Sequence, residues 1–273
     1  MTDGDALLAP FRGHGTQAVD ERLVATTCGI IERVNKLVSV RTLRNRYGAE
    51  VGDVVVGRVT EVAGKRWRVD LGSRGEASLL LSAVNLPGGV QRRRTAEDEL
   101  SMRSIFQEGD VISAEVQSLH HDGTIQLHTR SLKYGRLQRG QLVRVPPNLI
   151  KRQKQHFQHL EAAGVDVVLG CNGAVWVGPH VERPVVEFGQ EVDPGHMQLP
   201  PPTPQEREKT SRVAQAIIAL AQLYFAIHPT AISALYQLSL TEGVAIKDMC
   251  SPGFLAAAAA QEAQQRMDME VDQ

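Results

Sequence analysis

Between Gly52 and Arg130 the chain carries five short runs that alternate apolar and polar residues, each bounded by turn signals. They are GDVVVGRVTEV (52–62), RWRVDLG (66–72), EASLLLS (76–82), GDVISAEVQSL (109–119) and TIQLHTR (124–130). A period of two sends successive side chains to opposite faces, so each run is a half-buried strand rather than a helix. His121-Asp122-Gly123 supplies a tight turn between the last two runs. Five such strands close into a small all-β barrel of the OB type. Gly52-Asp53-Val54 and Gly109-Asp110-Val111 each open a strand, turn and strand unit, a faint internal echo of two hairpins.

The flanks read differently. Residues 1 to about 20 are rich in Gly, Asp and Thr and are expected to be loosely ordered. LVATTCGII (23–31) and KLVSVRTL (36–43) then read as a hairpin or two adjacent strands. Beyond Lys133, the segment NLIKRQKQHFQHLEAAG (148–164) has helical spacing. Leu149, Ile150, Phe157 and Leu160 can share an apolar face, with Lys151, Arg152 and Lys154 toward water. VDVVLG and AVWVG flank Cys171-Asn172-Gly173 and read as two strands joined by a turn. A helix is expected from Thr203 or Pro204 to about Ala226, with Glu206 and Glu208 in its first turns. A second is expected over Thr230–Leu240, and the alanine-rich, then acidic, tail from Pro252 forms a fraying helix. The expected organisation is a mixed, multi-domain chain. An N-terminal β domain (1–48) precedes the barrel (49–133), an α/β domain with a helical extension (134–250) and a tail (251–273).

Net charge is only −1, yet the charges are segregated. Arg130, Lys133, Arg136, Arg139, Arg144, Lys151, Arg152 and Lys154 fall in a stretch without a single Asp or Glu, whereas Glu262, Asp268, Glu270 and Asp272 crowd the end. A basic face on a neutral protein attracts phosphates or an acidic partner. Hydrophobic residues make up 42%, which is enough for packed cores. Cys28, Cys171 and Cys250 form no CxxC pair, so neither a disulfide framework nor a thiolate zinc site is expected. The start MTDGDALLAPF has no apolar signal region and no run approaches a membrane span, so a soluble intracellular protein without a membrane partner is expected.

Enzymatic signatures are missing. There is no GxxxxGK[ST], HExxH or GxSxG. Asp53, Asp70 and Asp110 sit at strand starts and ends, the positions of turn residues, rather than in a cluster able to hold two metal ions. His156 and His159 would share a helix face without an acidic or thiol ligand beside them, and no metal or cofactor is expected. In RWRVDLG, alternation puts Trp67, Val69 and Leu71 in the core and leaves Lys65, Arg66 and Arg68 exposed at a hairpin, well placed for phosphates. Arg92-Arg93-Arg94 follows a Pro-Gly-Gly loop and could reach RNA or an acidic protein surface. Arg130, Lys133, Arg136 and Arg139 invite the same two readings.

GRVTEVAGKRWRVDLG (57–72) resembles the opening of an S1-type RNA-binding domain, and GDVISAEV with GTIQLHTRS resembles its close. Members of that family commonly stack bases on two hairpin aromatics. Here the matching positions are Lys65 and Arg68, and the usual third-strand histidine is replaced within Leu79-Leu80-Leu81. The expected RNA contact is therefore electrostatic: single-stranded, sequence-tolerant and salt-sensitive. The strings AVNLPGG (83–89), RRRTAEDELSMRS (92–104), LHTRSLKYGRLQRGQLVRVP (127–146) and LGCNG (169–173), followed by Trp176, resemble the ribosomal-RNA-processing cap subunits of the eukaryotic RNA exosome. That likeness runs from about Ile31 to Gly178.

The resemblance implies an S1 barrel beside a KH-like domain in a non-catalytic cap. Such a cap holds together a ring of ribonuclease-PH-like subunits and, with other cap proteins, guides RNA 3′ ends to a separate exonuclease. Helicase cofactors, and residence in nucleus, nucleolus and cytoplasm, come with it. Gly170-Cys171-Asn172-Gly173 fits the GxxG spacing of a KH nucleotide clamp, but its neighbours are strand-like. Gly170 and Gly173 are expected to provide a positive-φ turn, with Asn172 tolerating the left-handed region. The family's GxNG variant implies a role in packing between domains. A free-standing, translation-associated S1 protein and a nuclease with an appended S1 barrel are the competing readings.

Overall fold

The computed structural model describes residues 11–20, 22–42, 44–85, 95–131, 133–181 and 200–271, with 264–271 described by backbone alone. The chain divides into two compact units, Met1–Asn45 and Arg46–Gln273.

The first unit is a small β structure. Strands β1 (Phe11–Arg12), β4 (Ile30–Val34) and β5 (Leu37–Arg41) form one sheet in the order β1-β5-β4, and β2 (Thr16–Val19) pairs with β3 (Arg22–Ala25). Asn35, at φ 55°, turns β4 into β5. A sheet of this size encloses little. Val40 is the one buried hydrophobic side chain among its described residues, while Phe11, Val19, Val24, Ile30, Ile31, Val34 and Leu37 are exposed.

The second unit begins with the barrel. Its strands are β6 (Val54–Ala63), β7 (Arg66–Asp70), β8 (Ala77–Val84), β9 (Val111–Leu119) and β10 (Ile125–Thr129), with short helices α1 (Ala96–Leu100) and α2 (Met102–Ile105) between β8 and β9. The ladder runs β10-β8-β7-β6-β9, and the β10–β9 pairing closes it. Alternation selects the core: Val55, Val59, Trp67, Val69, Leu79, Ile112 and Leu127 point inward, and Met102, Ile105 and Phe106 plug one end. Trp67 is wholly buried. Its indole N–H donates to the Phe106 carbonyl (3.0 Å) and its ring meets Phe106 edge-on at 5.5 Å. The indole thus fills the core as its strand parity dictates, with its polar atom satisfied.

A two-residue strand, β11 (Gly135–Arg136), pairs with β9 and leads into the KH-like region. There β12 (Gln141–Arg144), β13 (Phe157–Leu160), β14 (Val165–Leu169) and β15 (Ala174–Pro179) form an antiparallel sheet in the order β12-β15-β14-β13. Helices α3 (Pro204–Gln222), α4 (Pro229–Thr241) and α5 (Pro252–Val271) follow. Thr203 caps α3 through a reciprocal box with Glu206, and Pro204 occupies its first turn. From α3, Val213, Ala214, Ile217 and Leu220 pack with Val165, Val167, Leu169, Val175 and Val177 of the sheet in the largest core of the molecule. The other sheet face, with Val168, Ala174 and Trp176, packs on Val56 of the barrel.

The helix expected over 148–164 does not form. Pro147–Leu149 is a single 3-10 turn and Phe157–Leu160 is a strand paired along its length with Val165–Val168. Pro146 and Pro147 remove donors where a helix would nucleate, and cross-strand pairing outweighs the modest helical preference of the Lys- and Gln-rich stretch. Period two also sorts the apolar residues better than a helix would: Phe157 packs against the Trp176 cluster, and Leu160 enters the helix-side core.

Candidate nucleic-acid interface

The β6–β7 hairpin presents the expected cations. Gly64 (φ 58°) and Lys65 (φ 64°) both take the left-handed conformation that a tight two-residue turn demands. Lys65 Nζ lies 2.7 Å from Glu99 Oε1 of α1, and Arg68 pairs with Glu61 across the ladder at 3.0 Å. Arg66 is exposed and makes no ion pair among the described residues. Two of the three hairpin cations therefore already face carboxylates, which lowers the net field a phosphate would meet. Arg66 stands opposite Leu80, and Arg68 opposite Ser78, on the outward face of the β7–β8 pair. Among the described residues, no aromatic side chain accompanies them there. Trp67 and Phe106 lie in the core, and Tyr47 and Tyr134 are buried.

Arg130 follows β10 beside Val84, four residues along β8 from Leu80, so roughly 13 Å of strand separates it from the hairpin set. Its carbonyl accepts from the Asn85 side chain. Lys133 lies over the Tyr134 ring at 4.7 Å. Arg92, Arg93 and Arg94 fall outside the described residues. Half of the cations in the acid-free basic stretch are engaged in ion pairs within the chain. Arg136 pairs with Asp110 (2.8 Å), Arg139 with Glu206 (3.4 Å), Arg144 with Asp70 (3.0 Å) and Arg152 with Asp53 (2.7 Å) and Glu50 (2.9 Å). The acids that answer these cations all lie outside the stretch, so its free charge is smaller than its composition implies.

The Gly170–Gly173 turn joins β14 to β15 and inserts into the barrel. β7 leaves β6 at Arg58, so Val54–Val56 are open on that side. The turn takes the vacant place. The Cys171 N–H donates to the Val54 carbonyl (2.8 Å). The Asn172 side chain accepts from the Val56 N–H (3.2 Å) and donates to the carbonyls of Val56 (2.8 Å) and Leu71 (2.9 Å). Cys171 itself belongs to the barrel core, and burial pushes its thiol up to about 11.

The expected turn geometry needs correcting in two places. Gly173 does have positive φ (81°), and a Cβ there would sit 2.2 Å from the Val145 carbonyl oxygen. Gly170 and Asn172 do not take the left-handed region. Gly170 is required by crowding, since a Cβ would lie 2.5 Å from the Ala174 carbonyl oxygen and 3.0 Å from the Val56 nitrogen, and Asn172 acts through its amide. No pair of helices brackets this GxxG, so it is not built as a nucleotide clamp.

Asp53, read from sequence as a turn residue, is a second clasp. It is 4% exposed and accepts from Arg152, the Tyr47 hydroxyl (2.7 Å) and the Glu50 N–H (3.1 Å). Burial pushes its carboxyl up, but the hydrogen bonds from Arg152, Tyr47 and Glu50 outweigh it and hold the group below the usual carboxylate range. Burial, reinforced by Asp53, drives the Tyr47 hydroxyl far up, so it stays a donor. Asp70 is likewise held low, first by the Gly72 N–H and then by Arg144.

A closed five-strand barrel joined to a KH-like sheet defines an RNA-binding protein of the S1–KH class. The sequence agrees: residues 46–118 match the family described as "RRP4, S1 domain" and residues 140–183 match a KH domain. The chain is 47% identical over 265 residues to an exosome complex component RRP4 homolog of Arabidopsis thaliana, covering 94% of this chain and 82% of that one. It is 49% identical to exosome complex component RRP4 of Bos taurus over 89% of this chain and 80% of the relative. Against the Thermococcus kodakarensis exosome complex component Rrp4 the figures are 30%, 67% and 74%. A crystal structure described as a candidate exosome complex RNA-binding protein shares the fold, with a TM-score of 0.50 at 20% identity over 72% of this chain and 98% of that one. The chain belongs to the RRP4 family of exosome complex components.

Proposed function

We propose that this chain is a non-catalytic cap subunit of the RNA exosome. It binds single-stranded RNA through phosphate contacts, braces a ring of ribonuclease-PH-like subunits together with other cap proteins, and guides RNA 3′ ends to a separate 3′–5′ exonuclease. Helicase cofactors act upstream, and the work lies in rRNA processing and RNA decay in nucleus, nucleolus and cytoplasm. Family membership supports the assembly, and one feature of the barrel supports the role within it. Among the described residues, the outward β7–β8 face offers Arg66 and a partly neutralised Arg68 but no stacking ring. Base–aromatic stacking is worth about 1–3 kcal/mol per base, so a barrel without it holds RNA weakly and without sequence preference. That suits a guide that must let RNA slide, and it disfavours a free-standing translation factor. Exposed apolar side chains on the N-terminal unit supply surface for protein partners.

The test is affinity purification of the tagged full chain in moderate salt, with mass spectrometry of what stays bound. Ribonuclease-PH-like subunits in near-equal amounts are expected. Recovery of the chain alone, or with ribosomes, would overturn the cap role in favour of the free-standing RNA binder.

A further inference from the structure

We propose that His159, Asp166 and His180 form a binding site for a divalent transition-metal ion of the zinc class, on the sheet of the KH-like region. Nothing in the proposed RNA-guiding role uses these three side chains.

The site follows from the strand register. His159 on β13 stands directly opposite Asp166 on β14. Across the other edge of β14, Asp166 stands opposite Gly178, and His180 lies two residues further on, so alternation returns its side chain to the same face. Sequence inspection set His159 on a helix beside His156. In the fold they part: the His156 ring, just ahead of β13, is buried against the Leu169 carbonyl and Cys171, while His159 on β13 faces Asp166.

The three side chains converge on one point. His159 Nδ1 is 2.7 Å from Asp166 Oδ1, and His180 Nδ1 is 2.9 Å from that same oxygen and 3.0 Å from Oδ2. The two imidazole rings lie 4.3 Å apart between centroids. A candidate ligand atom from each residue lies within 4.8 Å of the others. Around a tetrahedral zinc with bonds near 2.0 Å, neighbouring ligand atoms are about 3.3 Å apart, so the ion would enter once side-chain rotation opens the two short contacts by about half an ångström and draws the imidazole nitrogens around it. Two imidazoles and a carboxylate are a borderline donor set that selects zinc-like ions over calcium or magnesium. Side-chain exposures of 39%, 31% and 46% leave a path from solvent and room for water as a fourth ligand. The bound ion would staple the edge strand β13 to β14 and to the end of β15.

The experiment is zinc titration of the full-length chain by calorimetry, with cobalt absorption as the ligand reporter. Saturable binding of one zinc is expected. The His159→Gln/His180→Gln double variant should weaken it by at least about tenfold, and Asp166→Asn should do so separately. Excess zinc should raise the melting temperature of the natural chain and leave that of the double variant unmoved. Cobalt should show a visible d–d band without the near-ultraviolet band of a thiolate ligand. Absence of saturable binding, equal affinity in the variants, or a thiolate band pointing to Cys28 or Cys250 would each overturn the site. The double variant changes two exposed side chains and Asp166→Asn a half-buried one, all outside the apolar cores, so a folded control is available in each arm.

Discussion

At the scale of single residues, two polar side chains reinforce the apolar contact between barrel and KH-like sheet. Asn172 satisfies one buried N–H and two buried carbonyls. Asn172→Ala should therefore destabilise the second unit by about 3 kcal/mol and lower its melting temperature by roughly 6–12 °C, which a thermal melt of the full chain reads directly. Asp53→Asn leaves Arg152 without its carboxylate. Because the guanidinium is half exposed, the loss should sit near the low end for a broken buried pair, about 3 kcal/mol at pH 7. The Asp53 carboxyl is held below its unfolded value, so its contribution is complete above the usual carboxylate range and fades as pH falls through the lower folded value. The gap in urea midpoint between natural chain and variant should stay level from pH 7 to about 5 and close below about 4. A gap independent of pH down to 3 would show that charge is not what Asp53 supplies. Neither residue's role was legible in the sequence. Asp53 looks like any strand-opening Asp until its burial is known, and its partner lies 99 positions away. The Asn172 contacts span 101 and 116 positions.

At the scale of elements, strand periodicity carried most of the information. The five barrel strands, the burial of Trp67 and the starts of α3 and α4 followed from alternation, turn residues and a capping Thr-Pro pair. Phe157–Leu160 did not, because four residues between a Lys- and Gln-rich run and a turn fit either period, and only pairing with β14 decides. Two predictions belong here. Gly173→Val places a branched side chain at φ 81° against the Val145 carbonyl and should lower the melting temperature by several degrees, with no added loss of RNA affinity in whatever remains folded. Lys65→Glu/Arg66→Glu/Arg68→Glu should leave the fold intact, since all three side chains are exposed, and lower the melt by only a few degrees through the repulsion it sets up with Glu99 and Glu61. In an assembled complex it should weaken RNA association and flatten the slope of log affinity against log salt by up to about 2. Identical slopes would remove the hairpin from the RNA path.

At the scale of the whole molecule, exposed apolar surface is distributed unevenly. Of the large exposed hydrophobics among the described residues, Phe11, Val19, Val24, Ile30, Ile31, Val34 and Leu37 belong to the N-terminal unit, against Val51, Leu100, Leu119 and Leu240 elsewhere. Ile30→Glu/Ile31→Glu should accordingly reduce recovery of ring subunits severalfold in the purification described above, while the thermal transition of the second unit stays in place. Unaltered recovery would take the docking surface away from this sheet. The Gly170–Gly173 insertion has a consequence for how the chain is made. The barrel strands end at Thr129, but Cys171, part of their core, is translated 42 residues later. At about 5–20 residues per second the ribosome takes several seconds over that interval. Throughout it the nascent barrel has a gap in its interior and bare amides along Val54–Val56, and only the arrival of the KH-like hairpin seals both.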